Sequence, residues 1–157
     1  MNIIERPLSA GNKVNNPNRI VIHAMGEYII DPKPMLAVDM LDRDGLSAHY
    51  LILPSGDVML CRRPEEGAYH ARGFNTDSIG IEFLVEGEHN YGSFLKAIKT
   101  DYVTPGQWQA GVELVKHLKS LYNIINIDRH SDLSPGRKLD PGAGFRWQKF
   151  KQQIGSV

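Results

Sequence analysis

The sequence predicts an α/β or α+β domain built on a mixed β-sheet. Three observations lead there. Short β-branched runs alternate with amphipathic stretches along the chain, one of those stretches carries a full set of helix-start signals, and no internal repeat or low-complexity tract breaks the pattern. With 157 residues, 41% of them hydrophobic, the chain has the length of one domain with its own core, so a single domain over 1–157 is expected.

From the N-terminus, Asn12–Arg19 is polar and contains proline, which reads as a surface arm. Arg19-Ile20-Val21-Ile22-His23 is short and β-branched and stops at Gly26, the pattern of a buried strand. Asp31-Pro32 offers an N-cap with proline at the first helical position, and Gly45 closes the stretch. A helix is therefore expected over about 33–42, with Pro34 in its first turn. Ser47–Pro54 and Asp57–Arg62 are strand-like runs joined across Pro54-Ser55-Gly56, which predicts a hairpin. Ser78–Val85 is a further apolar strand with Glu82 in its middle. Thr104-Pro105-Gly106-Gln107 supplies an N-cap, proline at the next position and glutamine three after the cap. The helix that follows places Ala110, Leu114, Val115, Leu118, Leu121 and Tyr122 on one stripe. Ile124–Ile127 reads as a short strand and Phe145–Ile154 as a small terminal helix.

Composition removes several functions. Lys plus Arg and Asp plus Glu both number 18, so no global electrostatic grip on nucleic acid is expected. No run approaches the roughly 18–20 apolar residues of a spanning helix, which argues against membrane insertion. Cys61 is the only cysteine, which excludes a disulfide framework and Cys-rich zinc modules. The start, Met1-Asn2-Ile3-Ile4-Glu5-Arg6-Pro7, shows no basic region followed by an apolar stretch, so cytoplasmic synthesis without a cleavable export signal is expected.

The chemistry rests on a few polar residues. His23 and His130 each follow a predicted strand, where a sheet presents side chains to a cleft, and Asp140 lies ten positions after His130 in a Gly/Pro-rich stretch. Two imidazoles and a carboxylate suit Zn²⁺ and leave its fourth position open. From spacing alone, a hydrogen-bonded structural histidine is the commoner use of such positions. His49 lies within a strand and reads as structural, His117 borders the helical stripe, and His89 sits in a polar loop. Glu82 lies between Ile81 and Phe83, surroundings in which a carboxylate needs a partner.

The segment His130-Ser131-Asp132-Leu133-Ser134-Pro135-Gly136-Arg137-Lys138-Leu139-Asp140-Pro141-Gly142 resembles the metal-site signature of zinc-dependent N-acetylmuramoyl-L-alanine amidases. That family includes the amidase-type lysozymes of bacteriophages, the bacterial anhydromuropeptide amidases and the peptidoglycan recognition proteins. Ile20-Val21-Ile22-His23, Ser47-Ala48-His49-Tyr50-Leu51-Ile52 and Ser78-Ile79-Gly80-Ile81-Glu82 agree in the family's order, and Tyr69-His70-Ala71 is similar to a segment ending in Trp-His-Ala. The resemblance runs over about 19–147.

It implies a single α/β domain, with a central mixed sheet flanked by helices and a zinc site in a cleft at strand ends. His23, His130 and Asp140 match the zinc ligands, Glu82 the general base and acid of the bacterial branch, and Lys138 the lysine that steadies oxyanion charge. Ala48 stands where many phage lysozymes place a catalytic tyrosine, and His23-Ala24-Met25 lacks the hydroxyl residue that many members carry two positions after the first ligand. His70, Arg72 and Arg137 are candidate substrate contacts that could meet carboxylates or sugar oxygens. The implied function is hydrolysis of the amide between N-acetylmuramic acid and L-alanine in peptidoglycan or muropeptides, in a phage endolysin or a cell-wall recycling enzyme. The expected protein is a monomer with Zn²⁺ as cofactor and neither nucleic acid nor membrane as partner. An endolysin would act on the cell wall and a recycling enzyme in the cytosol. The alternative is a recognition domain that binds the same ligand without cutting it.

Overall fold

Period-two alternation along two long strands sorts the core from the site. In the computed structural model, which describes residues 1–155, β2 (Arg19–Ile29) and β6 (Ser78–His89) run parallel, with Ile20, Ile22 and His23 paired to Ile79, Ile81 and Glu82. Ile20, Ile22, Ile79, Ile81 and Phe83 point to one face and are fully buried there. His23, Met25, Gly80, Glu82 and Leu84 point to the other. One face therefore makes the main core, and its back presents the polar pair.

Five further strands complete a mixed sheet of order β1-β5-β4-β6-β2-β3. They are β1 (Ile3–Glu5), β3 (Met35–Leu36), β4 (Tyr50–Ile52), β5 (Val58–Leu60) and β7 (Asn126–Arg129). β4 and β5 form the predicted antiparallel hairpin, trimmed to three residues each. β7 pairs parallel with the first residues of β2, and β3 pairs antiparallel with its last two. β2 thus runs past Gly26, where a single strand end was expected, and its register against β6 shifts between Gly26 and Tyr28.

The main helix, α3 (Pro105–Leu121), starts as its sequence predicts. Thr104 Oγ1 accepts from the Gln107 N–H at 3.1 Å, and Gln107 Oε1 accepts from the Thr104 N–H at 3.0 Å. Gln107 is fully buried, and its amide nitrogen donates to the carbonyls of Ile52 and Leu84, so the same residue pins the helix to β4 and β6. Ala110, Leu114, Val115 and Leu118 are buried in the core and Tyr122 packs against it, whereas Leu121 is exposed. Gly111 belongs to this contact, since a Cβ there would lie 2.5 Å from Phe83 Cζ. α5 (Trp147–Ile154) packs Phe150 and Ile154 into the same core.

On the other face lies α1 (Ala37–Arg43), packed with Met25 and Leu84, while α2 (Tyr91–Ala97) packs Phe94 and Leu95 with Ala24 and Val85. α1 begins later than expected because Met35 and Leu36 are drawn into pairing with β2. α2 carried no periodic signal, having seven residues and none fully buried. One turn of helix, α4 (His130–Leu133), follows β7 directly. Among the described residues no helix is long and apolar enough to cross a membrane.

Candidate metal centre and active site

His23 lies inside β2, and His130 is the first residue after β7, whose last residue pairs beside Ile22. Parallel pairing therefore sets the two imidazoles side by side, His130 at the end of β7 but His23 within β2. The site thus lies on a face of the sheet rather than in the cleft at strand ends that was expected, because β2 continues past Gly26. Asp140 arrives from the loop after α4. Its carbonyl accepts from the Ser131 N–H at 3.0 Å, and its Oδ2 accepts from the Ala24 N–H at 3.3 Å. The next residue is held too, since the Tyr102 hydroxyl donates to the Pro141 carbonyl at 2.7 Å.

Three potential ligand atoms converge. His23 Nδ1 lies 3.0 Å from His130 Nδ1 and 3.4 Å from Asp140 Oδ2, and His130 Nδ1 lies 3.2 Å from the same oxygen. A tetrahedral ion with ligand bonds of about 2.0 Å requires separations of about 3.3 Å between its ligand atoms. Burial lowers the pKa of His23, with partial opposition from Asp140, so its ring is a neutral nitrogen donor. For Asp140 burial opposes the charge, but the close imidazoles of His130 and His23 outweigh it and keep the group a carboxylate. Two imidazole nitrogens and an anionic oxygen at these spacings fit a divalent metal ion.

Glu82 completes the centre. Its Oε1 is 3.8 Å from His23 Nδ1, while its Oε2 is buried without a hydrogen-bond partner. Burial raises its pKa well above the ordinary carboxylate value, Asp140 adds to the rise, and Lys138 opposes it. A carboxyl with its pKa raised in this way holds a proton more readily than an exposed one, as a group that takes and returns a proton must. Lys138 is half-buried and lines the same cavity, of about 590 Å³, with His23, Glu82, His130 and Asp140.

The remaining candidates separate. Arg72 and Arg137 are exposed on the cavity rim, with Arg137 donating to Ser134 Oγ at 3.0 Å. His70 is placed beside His23, with both ring nitrogens engaged by the protein, and burial among other imidazoles keeps it neutral. Sequence reasoning missed Ser78, Asn75 and Tyr102 as supports of the site. Nothing local marks them, because each acts through a contact distant in the chain or across a loop. It also missed Phe94 and Leu95 of α2, which wall the cavity.

His49 has the structural role expected of it. The Gly80 N–H donates to its Nδ1 at 3.0 Å and its Nε2 donates to the Glu66 carbonyl at 2.7 Å, so the ring is neutral and fully buried. Burial lowers its pKa from 6.5 to about 4. Below pH 6.5 the unfolded chain binds a proton that the folded chain refuses, so stability falls as pH drops through this window, by about 3 kcal/mol for a shift of this size. His49→Gln, followed by denaturant melts from pH 7 to pH 4, is expected to show a flatter pH dependence than the parent.

A family model described as N-acetylmuramoyl-L-alanine amidase matches residues 13–143, which include every residue of this centre. The chain belongs to that family. The amidase AmiD of Escherichia coli is 32% identical over 155 residues, and the 1,6-anhydro-N-acetylmuramyl-L-alanine amidase AmpD of Enterobacter cloacae is 33% identical over 143. Each alignment covers 85% of this chain, but the chain spans only 52% of the length of AmiD and 70% of AmpD. Among solved structures, the amidase LysC from Clostridium intestinale superposes with a TM-score of 0.76 at 25% identity, over 100% of this chain and 99% of that one. AmiD, solved in complex with the substrate anhydro-N-acetylmuramic acid-L-Ala-D-gamma-Glu-L-Lys, gives 0.70 at 26% identity over 95% of this chain and 62% of its own.

Proposed function

We propose that this amidase domain, over 1–157, cleaves the amide between the lactyl group of N-acetylmuramic acid and the L-alanine of the stem peptide, with zinc held by His23, His130 and Asp140. One observation carries the reading: Glu82, whose buried Oε2 has no partner, brings its Oε1 to 3.8 Å from His23 Nδ1, one of three ligand atoms at tetrahedral spacing. Zinc in such a site supplies Lewis acidity, polarising a carbonyl and acidifying water.

The chain's own residues do the rest. Glu82 takes the proton of the attacking water and later delivers it to the leaving alanine nitrogen. Lys138 steadies the charge that develops on the scissile carbonyl oxygen. Arg72 and Arg137, on the rim, meet the carboxylates of the stem peptide. The cavity walls, including Met25, Leu41 and Phe94, exclude bulk solvent from the reacting bond.

Incubation of purified sacculi with the protein, with and without chelator, tests the reading. New muramic lactyl ends and free alanine amines that vanish with chelator are the expected result; pull-down of sacculi without cleavage would make the protein a binding domain. Comparing rates on intact sacculi and on soluble anhydromuropeptide then separates a lytic from a recycling enzyme. Lys138→Ala is expected to lower turnover by roughly 10²–10³-fold while leaving substrate affinity nearly unchanged, because its contact strengthens only as charge develops. Weaker binding at unchanged turnover would reassign Lys138 to substrate positioning.

A further inference from the structure

Beside His23 the side chains form a single file. His23 Nε2 lies 2.9 Å from His70 Nδ1, His70 Nε2 lies 3.0 Å from Ser78 Oγ, and the Ser78 hydroxyl meets the Phe74 carbonyl. The direction of every bond follows from the last. A carbonyl oxygen only accepts, so the one hydroxyl proton of Ser78 is committed to Phe74. Ser78 Oγ must then accept from His70, which places the His70 proton on Nε2. A neutral imidazole protonated on Nε2 has its lone pair on Nδ1, so His70 Nδ1 accepts from His23 Nε2–H. His23 is left with a lone pair on Nδ1, the atom that faces His130 Nδ1 and Asp140.

Two features on separate segments seat the His70 ring. On β6, a Cβ at Gly80 would lie 2.5 Å from His70 Nδ1, so a side chain there would displace the ring. In the loop that carries His70, the N–H groups of His70 and Ala71 both donate to Asn75 Oδ1, at 3.1 and 2.8 Å. Ser78 itself is fully buried, which keeps solvent from competing for its hydroxyl.

We propose that His70, Ser78 and the Phe74 carbonyl form a positioning relay that holds His23 in the tautomer with a free lone pair on Nδ1, prepared for a metal ion. The relay rests on the reading of His23, His130 and Asp140 as metal ligands. A neutral His23 without the relay can carry its proton on Nδ1, where it points into the ligand cluster and must be moved before an ion binds. His70 and Ser78 are thus positioning residues, and a backbone carbonyl in the chain segment before β6 sets the state of a ligand on β2.

The direct test is the tautomer of His23 in the metal-free protein, read from long-range proton–nitrogen NMR correlation spectra. The parent is expected to show both His23 and His70 protonated on Nε2. His70→Phe keeps a ring but offers no acceptor, so His23 should populate both tautomers and zinc affinity, measured by chelator competition, should fall roughly 10–100-fold. His70→Gln, which can still accept and donate, should recover most of that loss. Ser78→Ala keeps every ligand and the His70 ring, and should free His70 to switch tautomer while weakening zinc binding. If His70→Phe does not fold, Ser78→Ala and the parent spectrum decide the matter. A parent that binds no zinc would overturn the metal reading, whereas its metal-free spectrum still judges the relay. Protonation of His23 on Nδ1 in the parent, or parental zinc affinity in both His70→Phe and Ser78→Ala, would overturn the relay.

Discussion

Glu82→Gln is expected to lower hydrolysis by roughly 10²–10⁴-fold, the usual scale for losing general acid–base help. The amide keeps the shape of the carboxyl but cannot take a proton from water. Zinc content and muropeptide binding should stay near those of the parent, because Glu82 is not one of the three converging ligands. Stability offers an independent check on the same variant. The folded pKa of Glu82 is raised well above the ordinary 4.5. Below that ordinary value the carboxyl is neutral in both folded and unfolded chains, and the burial costs it no charge. As pH rises through the folded pKa the buried group must ionise, and this contribution to stability is lost. Metal-free Glu82→Gln should therefore be at least as stable as the metal-free parent at neutral pH, with the difference closing in acid. A glutamate that merely served a buried partner would behave in the opposite way, losing stability while the folded fraction stayed active. The deciding measurement is turnover per folded, zinc-loaded molecule; a value within a few-fold of the parent would remove Glu82 from the reaction.

His23→Ala and Asp140→Ala should each abolish both tight metal binding and activity. The parent is expected to retain about one zinc per chain through dialysis, and the variants only a small fraction of it. The change should also appear in thermal stability, since an ion that binds only the folded chain stabilises it by about 2.7 kcal/mol at a hundredfold excess over its Kd. For a chain of this size that corresponds to roughly 5–10 °C in Tm, a shift that chelator should produce in the parent and not in the variants. Full zinc occupancy in both variants would place the ion elsewhere. Loss of zinc with retained hydrolysis would separate the metal from the chemistry.

Much of this was legible from the amino-acid order alone, because the relevant signals are local. The capping box at Thr104–Gln107, the hairpin across Pro54-Ser55-Gly56 and the apolar runs of β2 and β6 each depend on residues a few positions apart, and each forms. The family resemblance picked out His23, His130, Asp140, Glu82 and Lys138 from motifs that are likewise short. Several boundaries were not legible. β2 continues through Gly26 because β6 and β3 supply partners for it, and α1 starts late because Met35 and Leu36 are taken up in that pairing. α2 is too short to show a period, and it forms where Asn90 caps it, its side chain accepting from the Ser93 N–H at 2.9 Å.

The residues that support the site lay further from view. His70 carries a motif but no local sign of what its ring touches, and in the fold it is bound on one side by His23 and on the other by Ser78. The side-chain types at the centre, and the local segments that carry them, were thus determined by sequence. Their meeting was decided by tertiary structure alone, since parallel pairing of β2 with β6 and β7 sets beside one another imidazoles that are 107 residues apart. No local preference encodes such a contact: it forms only when burial of the sheet's apolar face offsets the entropy of closing the long intervening loops.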